Sequence, residues 1–287
     1  MQTLESAIDD ARSRYVAANP LSHAADEKAT RYLPGGNTRT VLYYEPFPLT
    51  MVGGDGAELT DLDGHRYIDF VGEYSAALFG HSNDVIKTAI HEALDSGVAM
   101  GAPTPYEREL AGLLCERFPS LEQVRFCNSG TEANLMALST ARVVTGRNKL
   151  LAFNDGYHGG VIKFLGGVCP LNMPFDFVLA NFNDIDGTAA LIDQVGDELA
   201  AVLIEPILGA GGNIQGNRNF LQMLRQKTAD VGALLIFDEV KTARLGPAGT
   251  QGMLGIKPDL TTLGKFIGGG LPTGAFGGSA EVMAHFN

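Results

Sequence analysis

Three cysteines in 287 residues, Cys115, Cys127 and Cys169, are too few and too scattered for a disulfide framework or a zinc site, and they suit a reducing compartment. Positive charge is also short. Only 21 Lys and Arg stand against 33 Asp and Glu, a formal net charge of −12. Such a surface repels nucleic-acid phosphates and anionic membranes, so neither is expected as a partner. No apolar run is long enough to span a bilayer. The opening MQTLESAIDDARSRYV has no basic segment followed by an apolar one, so no signal peptide is expected and the chain reads as cytoplasmic. The six histidines are dispersed, which argues against a metal site. Internal repeats, charge blocks and low-complexity segments are missing too.

What is there is an apolar share of 45% and 36 glycines spread through short loops. That suits an α/β protein with many tight turns near ligands. Residues 3–17 have the pattern of an amphipathic helix. RYLPGGNTRTVLYYEPFPLT reads as a loop or arm, and 50–70 as a meander of short strands with a hairpin turn at Asp63-Gly64. Helical patterns cover 83–96 and 105–118. From there strand-like runs (124–127, 149–153, 199–206, 233–240, 259–265) alternate with helical stretches at 131–144 and 219–232. That alternation predicts a mostly parallel sheet covered on both faces. The expected organisation is an N-terminal helix, arm and β-meander over 1–75 and a ligand-binding domain over 76–287.

In such sheets a ligand sits beyond the carboxyl ends of the strands, so the polar residues ending the runs matter most. CNSGTEANLMAL puts Ser129, Gly130 and Thr131 where a strand gives way to a helix, a ready anion site; a plain N-cap is the simpler account. It is neither a Walker loop nor a dinucleotide fingerprint. LLIFDEV ends an apolar strand in Asp238 and Glu239, which alternation sends to opposite faces. Asp238 could meet a metal, an arginine or a protonated ring nitrogen, or form a structural ion pair. Lys265, in TLGKFIGGG, ends another strand; desolvation there would make it a Schiff-base nucleophile, while on its own a solvated lysine reads as well. NDGYHGG offers the Tyr157 ring for stacking and His158 as a hydrogen-bond donor, or else a turn with a half-buried tyrosine.

Together these supply a phosphate cradle, an aromatic face, an acid for a ring nitrogen and a lysine for an aldehyde. Pyridoxal phosphate presents those four handles.

NSGTEAN, YHGG, LIEP, FDEV and TLGKFIGGGLPTGAFGG together resemble the class III aminotransferases of fold type I. Within them the chain is similar to the glutamate-1-semialdehyde aminomutase branch, and there to the β-amino-acid (β-phenylalanine) aminotransferases. The resemblance runs from about Arg31 to Asn287. It implies the fold type I large domain with a mostly parallel, seven-stranded sheet, and a homodimer with the site at its interface. It also implies a C-terminal small domain, which these 287 residues lack, so that this form is expected to be weakly active or inactive.

The resemblance gives Lys265 the Schiff base and the proton shuttle, and Asp238 the ring nitrogen. Tyr157 covers one ring face and Val240 packs on the other. Ser129, Gly130 and Thr131 take the phosphate, with His158 and Glu205 in support. Arg39, in GGNTRTV, matches an arginine that contacts the substrate carboxylate, a task its bidentate fork suits. The implied reaction moves an amino group from an amino acid to a 2-oxo acid. An aminomutase would instead move the amine within one substrate, and a non-catalytic remnant is the third reading. The short VIKFLGGVCPLNMP after YHGG, where aminomutases carry a long mobile loop, and NTRTVLY in place of the aminomutase segment favour the aminotransferase. Lys241 follows DEV where the family usually has an uncharged residue.

Overall fold

The computed structural model describes residues 3–286. They fall into two compact units, Met1–Val98 and Ala99–Asn287, whereas the sequence reading divides the chain at 75/76. No helix among the described residues is long and apolar enough to cross a membrane.

In the first unit, helices Leu4–Ala18, Pro20–Ala29 and Asp84–Ser96 accompany an antiparallel sheet of β1 (Met51–Asp55), β2 (Glu58–Asp61) and β3 (Arg66–Ile68). Thr3 caps the first helix and Asn83 the last, through side-chain oxygens that accept N–H groups of the opening turn. The helix Pro20–Ala29 is not legible in the apolar pattern. Its proline stands in the first turn, where a missing N–H loses no bond. The neighbouring N–H groups of Leu21 and Ser22 donate to the Asp63 carboxylate at 2.7 and 2.9 Å. Asp63 thus starts the turn between β2 and β3 and supplies the anion that a helix N-terminus favours.

The second unit is built on β4 (Gln123–Cys127), β5 (Lys149–Phe153), β6 (Asp176–Ala180), β7 (Leu199–Ile204), β10 (Leu234–Asp238), β11 (Leu260–Gly264) and β12 (Gly274–Gly278), with a separate hairpin of β8 (Ile207–Leu208) and β9 (Ile214–Gln215). The seven strands lie in the order β4-β12-β11-β10-β7-β5-β6. β12 runs antiparallel to both of its neighbours, and β11, β10, β7, β5 and β6 are mutually parallel. The mostly parallel, seven-stranded sheet is therefore as expected.

Every residue of β7, LAAVLI, is buried, which is what helices on both faces of a sheet require. On one face Ala133, Ala137, Leu138 and Ala141 of the helix Gly130–Thr145 pack against Leu150, Ala201 and Leu203. On the other, the helices Ile185–Val195 and Arg218–Val231 bring Ile192, Phe220 and Leu224 against Phe153, Val202 and Phe237.

The glycine-rich stretch after Lys265 holds the main surprise. GAFGG reads as loop by composition, yet it forms the fully buried strand β12. A Cβ on Gly274 would overlap the Ser129 carbonyl oxygen, and one on Gly277 the Gln123 carbonyl oxygen. These glycines let backbones approach within the sheet.

Candidate active site

The carboxyl ends of β4, β5, β7, β10 and β11 bring together Ser129–Thr131, Tyr157–His158, Glu205, Asp238–Val240 and Lys265. The helix Gly130–Thr145 begins one residue after Ser129, whose hydroxyl accepts from Glu132 N at 3.1 Å. The Glu132 carboxylate reaches back to Asn128 N at 3.0 Å. The N–H groups of Gly130 and Thr131 belong to the first turn, which has no intrahelical acceptors for them. Only glycine fits at 130, because a Cβ there would stand 2.8 Å from Val240 Cγ2. Gly264 abuts the same corner, its would-be Cβ 3.3 Å from Gly130 N. The YHGG turn closes on it as well. Gly160 N donates to Thr131 Oγ1 at 3.4 Å, and Gly159, at φ +131°, has no room for a Cβ beside that hydroxyl. The result is a narrow, backbone-lined anion cradle.

Asp238 is 3% exposed. Its Oδ2 accepts from Asn134 Nδ2 at 2.8 Å and lies 2.8 Å from His158 Nδ1, while Oδ1 accepts from Val240 N at 3.1 Å. Asn134 also donates to the His158 carbonyl at 3.0 Å and accepts from the Thr262 hydroxyl at 2.8 Å. Asn134 and Thr262 escaped the sequence reading. The signal was present: Asn134 shares a helical stripe with Leu138 and Ala141, so it is a polar residue on a buried face.

Glu239 points the other way, as strand alternation predicts. Its Oε2 accepts from Thr242 Oγ1 and Thr250 N and its Oε1 from Gln251 N, all within 2.9 Å, so it anchors the turn before β11.

Glu205 is buried too, with Oε2 accepting from Tyr157 N at 2.9 Å and Oε1 from Gly209 N at 3.0 Å. Burial pushes its carboxyl above the ordinary range, although His158 and these two amides oppose the rise. Tyr157 is half-buried, and so is Val240.

Lys265 follows β11 directly, in a 3₁₀ turn, with φ +55°. A lysine in that region carries strain of about 1–3 kcal/mol, which surrounding structure must hold in place. Desolvation lowers its amine below the ordinary lysine range; Asp238 and Glu205 pull it back up, and Lys241 and Arg244 push it further down. Arg39 belongs to the first unit, where its guanidinium ion-pairs with Glu73.

The pieces fit the cofactor expected from the sequence. Close-set glycines keep side chains out of the cradle at 129–131, Asp238 is a buried carboxylate in contact with Asn134, His158 and Val240 N, and Lys265 supplies a partly desolvated amine.

Comparison with known proteins shows the family and the fold. The family model described as aminotransferase class-III matches residues 42–287. The chain is 52% identical over 284 residues to the β-phenylalanine transaminase of Variovorax paradoxus, a match covering 99% of this chain and 65% of that protein. The crystal structure of a β-phenylalanine aminotransferase from that organism superposes with a TM-score of 0.97, covering 99% of this chain and 66% of that one. Identity to glutamate-1-semialdehyde 2,1-aminomutase 1 of Macrococcus caseolyticus is 41% over 282 residues, with 92% and 66% of the two chains covered. A solved transaminase with PLP bound is 35% identical, with a TM-score of 0.87 and coverage of 92% of this chain and 66% of that one. The chain spans about 65% of the length of the relatives it matches.

Proposed function

The chain belongs to the class-III aminotransferases, and from that premise we propose that its second unit is the catalytic part of a pyridoxal-phosphate-dependent enzyme moving an amino group from an amino acid, a β-amino acid in particular, to a 2-oxo acid. The observation that carries the reading is the convergence of a helix-start anion cradle, buried Asp238 and strained Lys265 at the carboxyl ends of the strands.

When bound, the cofactor supplies an aldehyde for imine exchange and a ring that accepts electrons. Ser129, Gly130 and Thr131 would hold its phosphate through first-turn N–H groups and two hydroxyls. Asp238 would keep a proton on the ring nitrogen, and its negative charge is oriented by Asn134, His158 and Val240 N. Tyr157 and Val240 would bracket the ring. Lys265 Nζ, its basicity lowered by desolvation, would supply the amine that meets the aldehyde and would serve as the base at the amine-bearing carbon.

Transamination is favoured over an aminomutase by the greater likeness to the transaminase and by the segment after YHGG. That segment is short and tied down: Asn172 exchanges side-chain hydrogen bonds with the Lys163 backbone at 3.0 and 2.8 Å, and Met173 N donates to Val161 O at 2.9 Å. The reading includes a cytoplasmic setting and a homodimer. Phe70, Val71, Leu78 and Phe79, each about half exposed or more, offer apolar surface for a second copy to cover.

The test is borohydride reduction with pyridoxal phosphate, followed by peptide mass mapping. The label is expected on Lys265 and lost in Lys265→Ala. An unlabelled wild type, or a label that persists in the variant, overturns the reading.

A further inference from the structure

Lys241 is the cation with no task in the scheme above. It follows Val240 on the strap after β10 and is half-buried. The two side chains part. Val240 packs toward Gly130 and the anion cradle, whereas Lys241 runs over Gly209 toward the loop joining β8 and β9. A Cβ on Gly209 would stand 3.3 Å from Lys241 Cδ and 3.0 Å from Glu205 Oε1, so both side chains flank one glycine. The ammonium donates to Asn213 Oδ1, a neutral partner.

Among the described residues no carboxylate lies within 4.0 Å of Lys241 Nζ. Glu205 lies across Gly209 and attracts the ammonium through space, while its two oxygens accept from Tyr157 N and Gly209 N. Lys265 and Arg244 add like charge on the same side, and Asp238 is held by Asn134 and His158. Desolvation lowers the Lys241 amine below the ordinary lysine range, Glu205 offsets part of that and Arg244 adds to it, so a half-buried ammonium hydrogen-bonded to an amide is a costly arrangement that an incoming anion would relieve. The cradle side already suits the phosphate, and Lys241 faces away from it. A compact ammonium on a flexible stem can leave Asn213 and meet a single carboxylate oxygen.

We propose that Lys241 is a specificity-determining residue that binds the second carboxylate of a dicarboxylic substrate. The assignment rests on the aminotransferase reading and names the substrate class that this wall of the site selects.

The test uses the cofactor-loaded chain and two probes of equal carbon count, glutarate and valerate, with dissociation constants from calorimetry. Wild type is expected to bind glutarate at least tenfold tighter than valerate. Lys241→Met should abolish most of that preference and leave the valerate constant within twofold, while Lys241→Arg should keep it. Should Lys241→Met not fold, Lys241→Gln serves in its place. No preference in wild type, an undiminished preference in the uncharged variant, or equal weakening of both acids would each overturn the proposal. Borohydride labelling of the same preparations separates the two ideas. A label on Lys265 with no role for Lys241 refutes this inference alone, and a missing label refutes the aminotransferase reading itself.

Discussion

Replacing Asn134 by Leu removes the buried amide on which Asp238 depends. The two side chains share branching and heavy-atom count and leucine is the bulkier, so no cavity opens. Three hydrogen bonds disappear: one to the Asp238 carboxylate at 2.8 Å, one to the His158 carbonyl at 3.0 Å and one from the Thr262 hydroxyl at 2.8 Å. The bond to the charged group contributes about 1.5–3 kcal/mol and the neutral ones about 0.5–1.5 kcal/mol each. Burying a leucine returns about 2 kcal/mol. Because Asn134, Asp238 and Thr262 are at most 3% exposed, water cannot replace what is lost. The net expectation is a destabilisation of about 0.5–4 kcal/mol in urea unfolding at pH 7.5. Asn134→Asp sharpens the test. It sets a second carboxylate against Asp238, and two such groups share a proton, which raises a folded-state pKa. Stability from a raised pKa is present at low pH and lost as the pH climbs through the folded value. Relative to wild type, the Asp variant should therefore recover as the pH falls from 7.5 toward 5, and the Leu variant should not. A Leu variant no less stable than wild type, or no pH dependence for Asp, would refute the view that Asn134 holds Asp238.

Gly277→Ala should cost at least about 2 kcal/mol in urea unfolding, because its Cβ would collide with the Gln123 carbonyl inside the sheet. Gly112→Ala, on an exposed position of the helix Pro105–Arg117 with nothing within 4 Å, should stabilise by about 0.5–1 kcal/mol in the same assay. A lowered lysine pKa means that the unfolded chain holds more protons between the folded value and the ordinary one of about 10.4, so stability rises with pH across that window. Wild type should gain on Lys265→Met as the pH is raised from 7 to 9.5, read from urea midpoints; a constant difference would count against a desolvated amine.

How much of this was legible depended on whether local pattern and tertiary role agree. β5, β7, β10 and β11 are apolar runs because both sheet faces are covered, so composition alone located them. The polar residues ending those runs then marked the site. β12 was hidden because its glycines answer to the neighbouring Ser129 and Gln123 backbones, which no local pattern encodes. Helix Pro20–Ala29 was hidden for a related reason: the anion at its N-terminus is Asp63, more than thirty residues on. Asn134 lay inside a correctly expected helix and was passed over as one more helical residue.

The Asp238-Glu239 pair shows where local reasoning stops and packing decides. Alternation places the two carboxylates on opposite faces but is silent on which one faces a ligand. Glu239 has both oxygens occupied by the turn at Thr242 and by the backbone of Thr250 and Gln251, which makes it a structural anchor. Asp238 is held by side chains from a helix and from the YHGG turn, elements that also build the anion cradle. Moving one strand end would thus displace carboxylate and cradle together. The strain at Lys265 belongs to the same construction, because Gly264, just before it, packs against the N–H of Gly130 at the cradle. Backbone that a lysine would ordinarily avoid is thus fixed by contacts beside the start of the helix Gly130–Thr145.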